Sequence, residues 1–566
     1  MTSKRVAILV AVWLTLGAVL GNAPARAADQ VTGTEILLDV KAEGKDSSAV
    51  LSWRFDAQKA RAAGVRGVNL YRITTGDEAG FNVKPVKLVQ DCKMGTEYVA
   101  KGLENGALYN FMFKLYDDKG ELQSAYVLPV LPGTASKGPL KAVQHVYAAS
   151  GATSVSVFWA PSPEVSVKGY EVARKSGDDA GYQVLAVVPK IVGIKHPSKD
   201  AANASFLPAL RASFHRDGTV KPGVSYSYRI RPVDSQGALG LEAVTPAVQT
   251  RPARSPEPGE VLLLAVDGDE DSLDVARHYA RKRNIPPANI LKIRLPRAAH
   301  LFRCEEHAVR PVREHLIQNG LAGKIRVIVP CFGFPLGDGW RSLDSMLTDP
   351  FRYYSWGRTM GTDNPLFNSD AHYDGTAGVY LVTRLDGPDK ETAKSLVDKA
   401  MKAEAGVGPS SGAAFFVADD KTAAAARKHG VKAVSDSHEN FRTLLLSEDT
   451  MWMFAWGSGA RKLRNSTWPA GSVAAVLKSD SCVEIREKGA RSWVHSLLSE
   501  GVTATFGAVV EPYVQGFTRG DIFFDRFWSG KYTFAESFLM ATPTVRWAMS
   551  AVGDPLYKLG KHQQTD

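Results

Sequence analysis

The stretch Val261-Leu-Leu-Leu-Ala-Val-Asp-Gly-Asp-Glu270 is an apolar run that ends in an acidic turn, and Asp271 to Arg283 after it carries apolar residues at helical spacing. A strand apolar on both faces has to be covered on both, so a buried strand feeding an amphipathic helix opens a helix-covered sheet. Ahead of it lie short alternating strands punctuated by turns. Behind it strands and helices alternate, the pattern of a mostly parallel sheet whose site lies at the carboxyl edge. The chain divides into a β-rich front and an α/β back, and chemistry is sought after residue 260.

A chain of 566 residues exceeds one core and suggests three or four units. Residues 1–27 read as a secretory signal: Lys4 and Arg5, an apolar run from Val6 to Leu20, and the cleavage site Ala23-Pro-Ala25-Arg-Ala27. That run is shorter than the roughly 20 residues a membrane helix needs. Cleavage leaves a mature chain with no transmembrane segment, in the periplasm or outside the cell. Losing Lys4, Arg5 and Arg26 takes the formal charge from +10 to +7, with no basic run longer than three residues, which argues against a nucleic-acid partner. The four cysteines, Cys92, Cys304, Cys331 and Cys482, show no C-x-x-C spacing, so a disulfide scaffold is excluded. One bridge fits an oxidising compartment; Cys304 and Cys331 are nearest in sequence, but sequence does not choose the pairing.

From residue 31 to 134 the chain offers Ala49-Val-Leu-Ser-Trp53, Gly67-Val-Asn-Leu-Tyr-Arg-Ile73 and Leu103 to Leu115, with the turn Asp117-Asp-Lys-Gly120. From 138 to 252 the order recurs as Val155-Ser-Val-Phe-Trp159, Gly169-Tyr-Glu-Val-Ala173, Pro222 to Ile230 and Asp234-Ser-Gln-Gly237. Such a repeat marks tandem domains, and the alternation marks β-sandwiches. On Trp53 and Trp159, Tyr71 and Tyr170, and the strands around Tyr109 and Tyr226, each segment resembles a fibronectin type III domain. These aromatics are assigned to the core. The insertion Lys190 to Thr219, with His196 and His215, reads as a polar loop rather than a metal site.

A Pro-rich linker, 253–259, leads into the α/β domain at 260–560. Strands are expected at Asn289 to Leu295, Ile325 to Cys331, Gly378 to Thr383, Ala413 to Val417, Met451 to Trp456 and Ala504 to Val510. Helices are expected at Val309 to Asn319, Ala393 to Ala405, Val473 to Leu477, Ser492 to Glu500 and Phe534 to Met540. Val261 to Asp269, Asp274 to Ala280, Asn284 to Ile290, Ser342 to Ser345, Tyr380 to Pro388, Trp456-Gly-Ser458, Gly501 to Pro512 and Val552 to Leu556 resemble motifs of an uncharacterised family of exported bacterial proteins. That resemblance implies export and no particular activity. A more distant resemblance is to caspase and gingipain type cysteine peptidases, which implies a histidine turn after one strand and a nucleophilic cysteine after a later one. In this sequence the turn is Trp456-Gly-Ser-Gly459, with Ser458 where histidine belongs. Serine cannot act as the base of a thiol dyad.

The catalytic candidates left are Ser458, Cys331, Cys482 and His438, with His278, His372 and His495 as other bases. Asp480 and Glu484 are expected to raise the Cys482 thiol. No metal motif and no cofactor signature is present; Cys304-Glu-Glu-His307 lacks partners, and Asp267, Asp269, Glu270 and Asp271 read as an acidic helix N-terminus. If the strands run parallel, Asp267, Asp344, Arg384, Asp386, Ser458 and Glu511 share one edge as ligand-binding candidates. Arg384 beside Asp386 either clamps a carboxylate or phosphate or pairs within the core. Phe351-Arg-Tyr-Tyr-Ser-Trp356 covers that edge, stacks a sugar or anchors its own loop. The leading expectation is an exported binding module for an envelope or extracellular protein or glycan, with a degenerate peptidase-like domain. The alternative is a hydrolase acting on peptide, ester or glycan.

Overall fold

The computed structural model describes residues 33–73, 87–106, 109–136, 138–177, 179–190, 196–197, 213–339, 341–352, 361–417, 419–436, 450–457, 468–490 and 492–560. The export segment, Ser458, His438 and the aromatics Tyr353, Tyr354 and Trp356 lie outside them. The chain forms two compact units, one of residues 1–135 with 192–207, the other of 136–191 with 208–566.

In the first unit, β1 (Leu37–Lys45), β2 (Ser48–Phe55) and β5 (Glu97–Lys101) form one sheet. The other holds β3 (Gly67–Ile73), β4 (Lys87–Asp91), β6 (Tyr109–Asp117) and β7 (Gly120–Val130), in the order β7-β6-β3-β4. In the second unit a similar module follows, of three plus five strands. β8 (Tyr147–Ser150), β9 (Val155–Trp159) and β13 (Ser213–Asp217) form one sheet; β10 (Gly169–Ser176), β11 (Gln183–Pro189), β14 (Ser225–Val233), β15 (Ala243–Val244) and β16 (Val248–Gln249) form the other. Trp53 and Trp159 are buried at their centres, Trp159 edge-on to Tyr170 at 5.4 Å. The insertion Lys190 to Thr219, read as a polar loop, contributes two strands: β12 (His196–Pro197), which pairs with β7 inside the first unit, and β13 with His215, which pairs with β9.

The second sandwich shares a core with the α/β domain. Tyr147 and Phe158 stack at 4.9 Å and pack with Leu262, Ile328, Phe351 and Tyr380. Gly378 stands against Phe158 with φ +70; a Cβ there would come within 2.7 Å of the ring, so glycine is required on both counts.

The α/β domain consists of two half-sheets. β17 (Val261–Val266), β18 (Ile290–Ile293), β19 (Val327–Pro330) and β21 (Leu381–Val382) are parallel, in the order β18-β17-β19-β21; β20 (Thr362–Asp363) pairs elsewhere with β27 (Thr544–Val545). β22 (Ala413–Val417), β23 (Ala433–Asp436), β24 (Thr450–Trp456) and β25 (Val473–Leu477) are parallel in the order β23-β22-β24-β25. Each half thus runs second, first, third, fourth. They are joined by β26 (Thr505–Ala508) and β28 (Met549–Val552): Arg384 bridges Val552 in parallel, β26 pairs antiparallel with β28, and Val473 bridges Ala504 in parallel. The halves therefore run in opposite directions along one continuous ladder, and their carboxyl edges are opposed.

Local sequence explains the main elements. Helix α1 (Glu270–Arg283) starts where the Asp269 carboxylate accepts from Ser272 N–H at 3.0 Å, has Glu270 and Asp271 in its first turn and Arg281, Lys282 and Arg283 in its last, and stops at Asn284 in the left-handed region. Helix α2 (Arg310–Gln318) continues from a π-helical turn, Glu305–Val309, so Pro311, expected in a first turn, stands just after a π turn, where the missing N–H is accommodated. Val473 to Leu477, expected as a helix, is strand β25. Five apolar residues show no period, and tertiary pairing on both sides decides for strand. Helices used below are α3 (Leu343–Leu347), α4 (Lys390–Glu404), α5 (Asp420–Lys428), α6 (Trp493–Ser499), α7 (Tyr513–Gly516), α8 (Gly520–Trp528) and α9 (Phe534–Ala541).

Candidate functional site

At the first half's carboxyl edge, Asp344 and Asp386 converge on Arg384. Its Nε and Nη2 donate to Asp344 of α3 at 2.9 Å each, and Nη1 donates to Asp386 at 2.9 Å. The Phe334 and Pro335 carbonyls accept the rest at 3.4 and 3.1 Å, so the guanidinium has no donor left for a ligand. Asp344 also accepts from Ser550, and Asp386 from Arg486 at 2.6 Å. The side chains of Arg384, Asp344 and Asp386 are 1–2% exposed. Burial works against the Arg384 charge, and Asp344 and Asp386 outweigh it, holding its pKa above the ordinary arginine value. The pairing alternative holds: these charges tie the β19 loop, α3, β21 and β28 together, and the chain from Cys482 to Arg486 is pinned across them.

The thiols belong to the same interior. Cys482 is fully buried and pushed up to about 12, chiefly by burial, with Arg384 pulling the other way. The carboxylates that raise it are Asp344 and Asp386, not the expected Asp480 and Glu484. Cys331 directly follows β19 and is buried, its pKa raised by burial and then by Asp386. All four cysteines are free thiols, so the Cys304 to Cys331 bridge does not form. Among the described residues no hydrogen bond joins Cys331 or Cys482 to a histidine. His278 meets Asp398 at 3.2 Å, His372 meets Glu536 at 3.0 Å, and the third base, His495, meets the Ile485 carbonyl at 2.8 Å.

Asp267, Arg384 and Glu511 do not share one edge, and Ser458, expected beside them, lies outside the described residues. Asp267 stays solvent-facing, 3.8 Å from Arg294. Glu511 follows β26, whose direction is reversed relative to β28, and Gly457, the residue before Ser458, follows β24 of that same reversed half. The expectation required one strand direction throughout; the antiparallel β26–β28 pair removes it.

The second half's carboxyl edge holds a separate group. Gly457 N–H donates to the Leu477 carbonyl at 3.1 Å, placing the ends of β24 and β25 side by side. Ser479 donates to Glu511, whose other oxygen accepts from Tyr513 N–H at 2.8 Å. Asp480 is exposed and sits at φ +58, and Tyr513 at φ +48, conformations that cost a non-glycine residue of order 1 kcal/mol and gather at functional sites. Partial burial and then the Glu511 charge raise the Asp480 pKa. Trp456 meets Phe517 edge-on at 5.3 Å, and half-exposed Tyr513 lies 6.0 Å from Trp547. The serine, the two carboxylates and the aromatics can accept hydrogen bonds and stack a ring. Sequence reading found Glu511 but not Ser479, Tyr513 or, in the first half, Arg486 and Ser550; no motif marks them. Among the described residues no group of three or more His, Cys, Asp or Glu is placed to hold a metal ion, and no helix is long and apolar enough to cross a membrane.

The strand orders define a protein with two β-sandwiches of three plus five strands and an α/β domain containing parallel sheets. No family model and no curated protein matches the chain. Among solved structures it is similar to the chicken CNTN1 FN1-FN3 domains, at 16% identity over 38% of this chain and 67% of that one, TM-score 0.15. It is likewise similar to a segment of two fibronectin type III domains from chicken tenascin, at 13% identity over 38% of this chain and 99% of that one, TM-score 0.15.

Proposed function

We propose that the chain is an exported, envelope-associated or secreted binding protein whose α/β domain is a degenerate relative of the caspase and gingipain peptidases. The observation that carries this reading is the state of the thiols: Cys331 and Cys482 are buried, burial pushes their pKa values up, and neither has a histidine partner among the described residues, whereas a nucleophilic cysteine needs an accessible thiolate. The signal-like residues 1–27 support export, and Ser458 in place of histidine supports loss of the dyad. Its ligand, a protein or glycan of the envelope, is assigned to the second half's edge, where Asp480 and Tyr513 are exposed beside the half-buried Glu511. The test is sedimentation of the mature chain with purified cell-wall glycan and, separately, with solubilised envelope protein. Retention lost in Asp480→Asn with Glu511→Gln supports the reading. Retention in neither fraction, or retention indifferent to that pair, contradicts it.

A hydrolase reading is favoured by one observation, the raised pKa of Asp480 beside Glu511, the arrangement of a general acid and its partner. It requires turnover of a glycan or ester that disappears in Asp480→Asn while retention persists.

A further inference from the structure

Between Asp274 and Glu305 the chain has no carboxylate, and the end of that stretch gathers cations: Lys292 on β18, then Arg294, Arg297 and Arg303 in the loop that leaves the strand. All four are exposed. Among the described residues Lys292, Arg297 and Arg303 meet no carboxylate within ion-pair distance, and Arg294, its side chain 88% exposed, approaches Asp267 only to 3.8 Å. The other acids of that edge are engaged: Asp269 caps α1, Glu270 faces Arg277 at 3.8 Å, and Asp271 holds Lys390 at 2.6 Å. Within the loop a single 3-10 turn, Ala299–Leu301, leaves Leu301 53% exposed, while the next residue, Phe302, is buried and lies 5.9 Å from the His307 ring. Arg303 donates to the His300 and Phe302 carbonyls at 2.9 Å each, which fixes the turn. A lone exposed leucine is ordinary on a protein surface; a leucine held out among unpaired cations is a different kind of surface.

We infer that the loop from Lys292 to Arg303 docks the protein on an anionic phospholipid surface. Two features choose the occupant. Unpaired guanidinium groups match phosphate, to which arginine donates two hydrogen bonds at once, and their apolar stems lie along the acyl boundary while the charged ends stay at headgroup level. Leu301 then enters the apolar layer, a contact that a polyanion such as a nucleic acid or an acidic glycan does not offer. One turn buries little apolar area, so attachment needs the charges as well and weakens as salt rises. This surface belongs to the first half and is independent of the ligand assigned to the second half's edge. Because the two carboxyl edges are opposed, the first rests on lipid while the second stays open.

Flotation of the chain from residue 28 onward with lipid vesicles tests this; leaving out residues 1–27 keeps the apolar run Val6 to Leu20 from entering lipid itself. Vesicles of phosphatidylcholine mixed with phosphatidylglycerol should retain the chain, and vesicles of phosphatidylcholine alone should not. Arg294→Gln with Arg297→Gln should weaken retention at least about tenfold, since each cation near an anionic surface contributes about fivefold. Leu301→Ser, at unchanged charge, should weaken it about fivefold. Lys421→Gln with Lys432→Gln, which removes the same charge from exposed positions on the second half, should leave it unchanged. All these positions are exposed, and unchanged circular dichroism spectra and melting curves confirm that the variants fold. No retention on the anionic vesicles, equal retention on the neutral ones, or an equal loss in the variant at Lys421 and Lys432 overturns the inference. So does retention indifferent to Leu301→Ser, which with displacement by soluble dextran sulfate marks a site for polyanions rather than lipid.

Discussion

The two half-sheets of the α/β domain share a strand order and differ in what their carboxyl edges do with polar side chains. In the first half, Arg384 spends every donor on Asp344, Asp386 and two carbonyls, and the group is sealed. In the second, Glu511 is held by Ser479 and a backbone N–H, Asp480 faces solvent, and the backbone at Asp480 and Tyr513 is left-handed. The same topology thus gives one edge that is structural and one that is available. A polar residue after a parallel strand signals a site only when its hydrogen bonds are not already satisfied from within.

The largest expected break in this comparison is Arg384→Met. It leaves Asp344 and Asp386 buried beside an apolar side chain, and removing one partner of a buried pair costs about 3–5 kcal/mol, read as a lower urea midpoint. Next is Glu260→Gln in the turn before β17. Glu260 accepts from Arg251 at 2.7 Å and Arg254 at 2.8 Å, with Arg326 at 3.3 Å. Burial opposes its charge, but these arginines hold its pKa below the ordinary carboxylate range. A depressed pKa contributes stability that is present above the unfolded-state value and lost as pH falls through the folded one. Glu260→Gln should cost about 1–3 kcal/mol at neutral pH, and less as the pH is lowered through that window.

Asp480→Asn carries the opposite sign. A raised pKa means the folded state holds the proton more tightly, so the favourable contribution is present below the unfolded-state pKa and lost as pH rises through the folded one. The asparagine variant should be slightly more stable than the parent at neutral pH and lose that advantage in acid, as thermal melts across pH will show. The smallest effect is expected for Glu511→Gln, within about 0.5 kcal/mol in stability, because the exposed edge is not holding the sheet together. A cost for Glu511→Gln as large as for Arg384→Met would erase the distinction between the edges.

Much of this fold is legible in the sequence because its elements declare themselves locally. Val261 to Val266 is apolar throughout, Asp269 caps α1, and Trp53 and Trp159 recur at equivalent places in the two sandwiches. Val473 to Leu477 is not legible: five apolar residues satisfy strand and helix alike until β24 and Ala504 flank them. The edge assignment fails for a related reason. Whether Asp267 and Glu511 lie together depends on the direction of β26 against β28, a long-range pairing that no local pattern encodes. Arg384, Asp386 and Asp344 could be named from the sequence, but Arg486 and Ser550, which complete their hydrogen bonding, come from distant segments that no motif marks. His438 and Ser458 lie outside the described residues, so their sequence reading stands as an expectation.

The central claim is that the polar interior around Arg384 and its thiols is structural rather than catalytic. The direct measurement is the modification rate of each cysteine by a small thiol reagent, resolved by mass spectrometry, in the native chain and in denaturant. Cys331 and Cys482 should remain unmodified in the native chain and react only on unfolding, with Cys304 behaving alike because it too is buried. Rapid labelling of Cys331 or Cys482 in the folded chain at neutral pH would show an accessible thiolate and contradict the account.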